Sequence, residues 1–107
     1  MADEIDQKVV ALGLRPERAQ QIIRETAKDT SRVILGDHAK ERLAEREISD
    51  IEIYHIFQSG FVLETPTRTK RKEWKCKSVM KLKGNRDAGV VAIILSNGLL
   101  FVKTVEW

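Results

Sequence analysis

Apolar residues recur every three or four positions through the first sixty residues and on alternate positions afterwards, so the chain is expected to place its helices first and its strands second. Ile5, Val9 and Leu12 give a helical spacing over Asp3 to Leu12, with Gly13 placed to close it in a left-handed conformation. Pro16 suits a first helical turn, and Ala19, Ile22, Ile23 and Ala27 form the next apolar stripe. The two segments predict a helical hairpin of residues 1–32. Val33, Ile34 and Leu35 read as a short buried strand, Asp37 as an N-cap, and His38 to Arg46 as a helix. Ser49 and Glu52 have the spacing of a capping box for one more helix, with Ile53, Ile56 and Phe57 inward and Gly60 at its end.

Strands are predicted at Phe61 to Glu64, Glu73 to Lys83, Val90 to Ser96 and Leu99 to Glu106, with a polar, basic loop from Thr65 to Lys72. Asn97-Gly98 signals a two-residue hairpin, which pairs Ser96 with Leu99, Ile94 with Phe101, Ala92 with Lys103 and Val90 with Val105. Val91, Ile93, Leu95, Leu100 and Val102 then face the core. A loop from Gly84 to Gly89 pairing Lys83 with Val90 adds Met80 and Leu82 to that face. The expected architecture is α+β: helices packed on one face of a twisted antiparallel sheet of three to four strands, preceded by the helical hairpin.

The segment Trp74 to Lys83 changes the picture from fold to function. Trp74, Cys76, Ser78, Met80 and Leu82 alternate with Lys75, Lys77, Val79, Lys81 and Lys83, so four ammonium groups share one face. Neighbours among them lie about 7 Å apart at strand rise, a repulsion relieved by a polyanion laid over them. Lys103 falls beside them, Trp107 at the edge, and Val79, Ile94 and Phe101 in the middle.

The charge is distributed accordingly. The 107 residues carry a net +3, with residues 1–64 at −4 and residues 65–107 at +7. Nine bases stand against one acid between Arg68 and Arg86, and such clustering points to nucleic acid more than an isoelectric point does. One cysteine, Cys76, excludes an internal disulfide and a zinc knuckle, which suits a reducing cytoplasm. Neither a membrane span nor a signal peptide is expected, the start being acidic. No metal or cofactor is called for.

His38, Arg42 and Arg46 recur at four-residue spacing along one side of their helix. Two accounts fit. Arg42 can pair with Glu45 at i, i+3, which makes the column a solvated face; or the guanidinium forks bind phosphate and the histidine moves protons.

The run His38-Ala39-Lys40-Glu41-Arg42-Leu43-Ala44-Glu45-Arg46-Glu47-Ile48-Ser49 resembles the H-A-x-x-R-x-x-x-R-x-I-S opening of a bacterial domain-of-unknown-function family. That family is grouped with the RelE, ParE and BrnT-like toxins of toxin-antitoxin systems. The resemblance continues through Trp74-Lys75 and the closing Thr104-Val105-Glu106-Trp107, and spans Val33 to Trp107. Cys76 stands where the family has a second aromatic residue, and the helices before Val33 lie outside the family core. The resemblance implies helices on one face of an antiparallel sheet; several such relatives cleave RNA without metal, and others poison gyrase.

Metal-independent RNA cleavage needs a base for the 2'-hydroxyl, cations for the phosphorane and an acid for the leaving oxygen. Arg42 and Arg46 are candidates to clamp the phosphate, with Lys75 or His38 handling protons. A lysine serves as a base only when its ammonium is destabilised, and the Lys77 charge works in that direction. Lys77, Lys81, Lys103 and Arg71 are candidates to hold the RNA backbone, and Trp74 or Trp107 to stack a base.

Each has a plainer reading. His38 can simply start a helix, Trp74 can pack in the core, and His55 and Tyr54 read as ordinary helix residues. Cys76 faces inward, away from chemistry. The expected function is an mRNA endoribonuclease toxin, ribosome dependence left open, neutralised by an acidic antitoxin. The alternative is a non-catalytic module that inhibits a protein such as gyrase or binds RNA. The N-terminal helices are candidates for a homodimer contact or for antitoxin recruitment.

Overall fold

The structure, a computed structural model, describes residues 13–106. The helix expected over Asp3 to Leu12, the hairpin it would form and Trp107 lie outside the described residues.

Helix α1 spans Pro16–Ala27, with the proline in its first turn and Ala19, Ile23 and Ala27 buried. A 3-10 turn at Thr30–Arg32, capped by the Asp29 carboxylate, leads into strand β1, Val33–Leu35. Helix α2 is Asp37–Arg46 and buries Ala39 and Leu43. Its N-cap is Gly36, so Asp37 is the first helical residue, where its charge favours the helix dipole. Ser49 opens helix α3, Asp50–Ser59, through the expected capping box: Glu52 N–H donates to Ser49 Oγ at 3.2 Å, and Ser49 N–H donates to Glu52 Oε1 at 3.1 Å. Ile53, Ile56 and Phe57 are its buried face.

Side chains tie the helices together. Gln58 Nε2 donates to Ala27 O at 3.0 Å, Val62 N–H donates to Gln20 Oε1 at 2.9 Å, and Arg24 Nη2 donates to Gly60 O at 3.0 Å. Arg24 Nε–H is buried and donates to no partner, while its guanidinium lies 5.6 Å from the Phe61 ring centre. No helix among the described residues is long and apolar enough to cross a membrane.

The remaining strands are β2 (Phe61–Val62), β3 (Thr67–Arg68), β4 (Trp74–Leu82), β5 (Arg86–Ile94) and β6 (Leu100–Glu106). Together with β1 they form, among the described residues, one mixed sheet of six strands in the order β1-β6-β5-β4-β2, with β3 also paired to β4. This corrects the expected three- to four-stranded antiparallel sheet. Val33–Leu35 adds a strand parallel to β6, and part of the basic loop pairs as β3, Thr67 with Lys75 and Arg68 with Trp74.

The β5–β6 register also differs. Leu95 N–H donates to Leu99 O and Gly98 N–H to Leu95 O, so the loop has three residues and Gly98 takes φ +85°; the αL position of that loop type suits glycine. Ile94 therefore faces Leu100, and Ile93 faces Phe101. A bulge follows: Ala92 pairs with Val102 but Val91 with Thr104, leaving Lys103 as the extra residue. Val90 meets Val105 as expected.

On the other side a 3-10 turn at Lys83–Asn85 pairs Leu82 with Arg86, so β5 begins earlier than predicted. The shift is odd in residue count, and an odd shift turns a strand over. Ala88, Val90 and Ala92 are buried, whereas Val91, Ile93 and Leu95, assigned to the core from sequence, are not. The core also takes Cys76 and Leu82 from β4 and Leu100, Val102 and Val105 from β6, as one cluster with the buried faces of α1, α2 and α3.

Phe57 is 1% exposed within this cluster. Phe57→Ala is expected to cost about 3–5 kcal/mol in urea unfolding, against about 1 kcal/mol for Ser49→Ala, which removes one cap.

Candidate nucleic-acid interface

Because Cys76 and Ser78 are buried against the helices, strand alternation turns Lys75 and Lys77 to the opposite, open face. The pairings carry that face across the sheet. Lys77 is level with Val91 and Thr104, Val79 with Gly89 and Glu106, and Lys81 with Asp87. The segment after β2 borders one side. Together Glu64, Thr65, Thr67, Lys75, Lys77, Val91, Lys103, Thr104 and Glu106, with Cys76 at the floor between the two lysines, line a cleft of about 370 Å³.

Three ammonium groups and two carboxylates meet there. Lys77 Nζ lies 3.0 Å from Glu106 Oε1, with the lysine side chain 30% exposed. The alkyl stem runs over Gly89, where an added Cβ would approach Lys77 Cε to 2.7 Å and Glu106 O to 2.8 Å. Glycine thus allows the ammonium to reach the carboxylate. Outside the cleft lining, the candidate Lys81 has its Nζ 3.4 Å from Asp87 Oδ1, an exposed pair worth little to stability.

The structure separates the two halves of the sequence-derived site. Helix α2 packs along β6, and Ala39 and Leu43 join the core on the helix side of the sheet. His38, Arg42 and Arg46, set alongside Lys75 in the sequence reading, are absent from the cleft lining. His38 Nδ1 lies 4.0 Å from Glu41 Oε2, and Arg42 Nη1 lies 3.1 Å from Glu45 Oε2, the i, i+3 pair that makes the column a solvated face.

Arg46 lines a different concavity, about 530 Å³, with Glu45, Glu47, Ile48, Leu82, Arg86, Asp87 and Ala88. Arg86 there donates to Arg46 O at 3.4 Å and faces Glu52 Oε2 at 3.7 Å. Its three carboxylates among two arginines make it a poor seat for phosphate.

Other candidates fall outside the cleft too. Trp74 is half-buried against the core, and Arg68 covers its ring at 5.2 Å from the centre. Arg71 is exposed in the tight turn joining β3 to β4, closed by Lys72 N–H donating to Thr69 O at 2.9 Å. His55 is exposed on α3, and Tyr54 packs on the core. Of the named candidates, the cleft gathers Lys75, Lys77 and Lys103. It adds Glu64, Thr65, Thr67, Thr104 and Glu106, which the sequence reading left out. A signal for Glu106 existed: the apolar spacing Leu100, Val102, Val105 breaks period two and marks a bulge.

The fold and cleft define an α+β protein that offers an open, lysine-rich sheet face, backed by helices on the other side. The chain belongs to the family described as Domain of unknown function (DUF4258), whose model matches residues 35–107. No curated protein and no solved structure matches the chain.

Two measurements test this geometry. Glu106→Gln frees Lys77 from its carboxylate and should raise affinity for a polyanion such as heparin, read as elution at higher salt; unchanged elution would show the pair to be immaterial. Burial pushes the Cys76 thiol up to about 12 from 9.0. The folded thiol should therefore resist iodoacetamide at pH 8 and react on unfolding. Its raised value also means stability that is present below pH 9 and lost as pH rises toward 12.

Proposed function

We propose that this chain is an endoribonuclease of the toxin type and that the open-face cleft is where RNA is held and cut. The observation that carries the reading is the convergence of Lys75, Lys77 and Lys103 with Glu64 and Glu106 in one concavity. Ammonium groups at strand spacing suit successive phosphates of a flexible backbone. The carboxylates supply what the lysines lack, an acceptor for the 2'-hydroxyl proton.

The reaction follows from these roles. Glu106 or Glu64 takes the proton, and the 2'-oxygen attacks phosphorus. Lys75 and Lys77 stabilise the phosphorane charge. The 5'-oxygen leaves with a proton from an ammonium group, giving a 2',3'-cyclic phosphate and a 5'-hydroxyl. Helix α2 has no part in this scheme, so the catalytic roles first considered for His38, Arg42 and Arg46 are withdrawn.

The cytoplasm and mRNA are the corresponding setting and substrate, and an acidic antitoxin segment laid across the lysines would neutralise the protein. A non-catalytic RNA-binding module is the second reading. It is favoured by the absence of any histidine, and of Arg42 and Arg46, from the cleft lining.

Labelled mRNA incubated with pure protein, with and without ribosomes, distinguishes the two. Cleavage should fall about 100-fold or more in Glu106→Gln and in the Lys75→Ala, Lys77→Ala double variant, and stay near wild type in Arg42→Ala, Arg46→Ala. RNA that is bound but left intact would establish the second reading. Loss of cleavage only in the arginine variant would place the site elsewhere.

A further inference from the structure

One row of the open face is apolar, and the cleavage scheme makes no use of it. Lys75 on β4 pairs with Ile93 on β5, Ile93 with Phe101 on β6, and Phe101 with Ile34 on β1. Three interstrand steps make this row about 14 Å long. Ile34 is 39% exposed, and Ile93 and Phe101 are half-buried. The Phe101 ring leans over Gly36, with Cζ 2.7 Å from where a Cβ would stand. The missing side chain therefore lets the ring lie toward β1.

We propose that Ile34, Ile93 and Phe101 form a base-stacking shelf, which makes the protein selective for single-stranded over double-stranded RNA. This rests on the RNA reading above and specifies its substrate. The row lies beside the cleft, two residues along β4 from Lys77, so a backbone seated on Lys75 and Lys77 can lay its bases across the shelf. A base face is apolar and stacks on an aromatic ring whatever its sequence.

A duplex keeps its base faces stacked inside and presents phosphate and sugar outward. Against the shelf, those polar groups would be desolvated without partners, at a net cost. The charge arrangement agrees with this: lysine stands at only one end of the row, leaving its middle and far end to uncharged groups.

The test is fluorescence anisotropy of the full chain with a labelled ten-nucleotide oligouridine and with a blunt RNA duplex of the same length, each at several salt concentrations. The oligouridine should bind at least about tenfold more tightly, and Phe101→Leu, which keeps apolar bulk but removes the ring, should remove most of that advantage. The salt slope should persist in Phe101→Leu, because phosphate contacts set it, and fall in Lys75→Ala. Should Phe101→Leu fail to fold by circular dichroism, Ile34→Thr at the exposed end keeps a β-branched residue and should lower oligouridine affinity alone. Equal affinity for the two RNAs, or no effect of either shelf variant, overturns the shelf while lysine-dependent binding leaves the RNA reading in place. Absence of any RNA binding overturns both.

Discussion

The bulge at Lys103 is the constraint on which the functional face depends. On the near side of it β6 buries its even-numbered residues, Leu100 and Val102; beyond it the strand buries Val105. In an unbroken ladder Glu106 would turn toward the helices and Val105 toward solvent. The extra residue reverses this, delivers a carboxylate to the open face level with Val79 and Gly89, and leaves Lys103 at the cleft. Bulges re-aim side chains in this way at the cost of a local break in the ladder. Here the break follows the last β1 pairing, Leu35 with Val102, and the ladder to β5 holds the register before and after it.

The two faces of the sheet divide the work. Helices α1, α2 and α3 cover one side and supply a common buried cluster, with α1 and α3 packed on each other and α2 along β6. That coverage removes the requirement for apolar residues on the other side, where β4 can carry a lysine at Lys75, Lys77 and Lys81. The nearby acids moderate the resulting repulsion: Glu106 and Asp87 each take one ammonium group. A polyanion arriving on this face competes with a resident carboxylate at Lys77, so part of its attraction is offset by breaking that contact. Helix α2 meets part of its charge locally, Arg42 with Glu45.

How much of this was legible depended on whether the signal was local. The capping box at Ser49 and Glu52, the stripe from Ala19 to Ala27 and the alternation through β4 are short-range patterns, and each appears where the sequence placed it. The parity of β5 was not legible, because it hangs on two loops. Asn97-Gly98 fits a two-residue turn as well as the three-residue loop observed, and the turn at Lys83–Asn85 hid the first residues of β5 behind polar side chains. An error of one residue in either exchanges the strand's faces. Strands β1 and β2 were read from their apolar residues, but β1's parallel partner β6 lies far along the chain where no local window reveals it, and β3 was hidden in a polar, basic stretch that read as loop. The arginine column left a solvated face and a phosphate clamp equally open in sequence, and that it does not line the cleft with Lys75 and Lys77 is a tertiary fact.

Gly89 carries a consequence beyond its place in the ladder. A residue in the middle of a regular strand ordinarily contributes through what its side chain touches, and a glycine there weakens the strand. At this position the useful element is a missing methyl group: the vacant volume is the trough along which Lys77 reaches its anion. The electrostatics of the face are therefore governed in part by a residue with neither charge nor side chain. Adding a single carbon atom there would crowd both the Lys77 stem and the Glu106 backbone carbonyl, disturbing the ion pair without altering any ionisable residue.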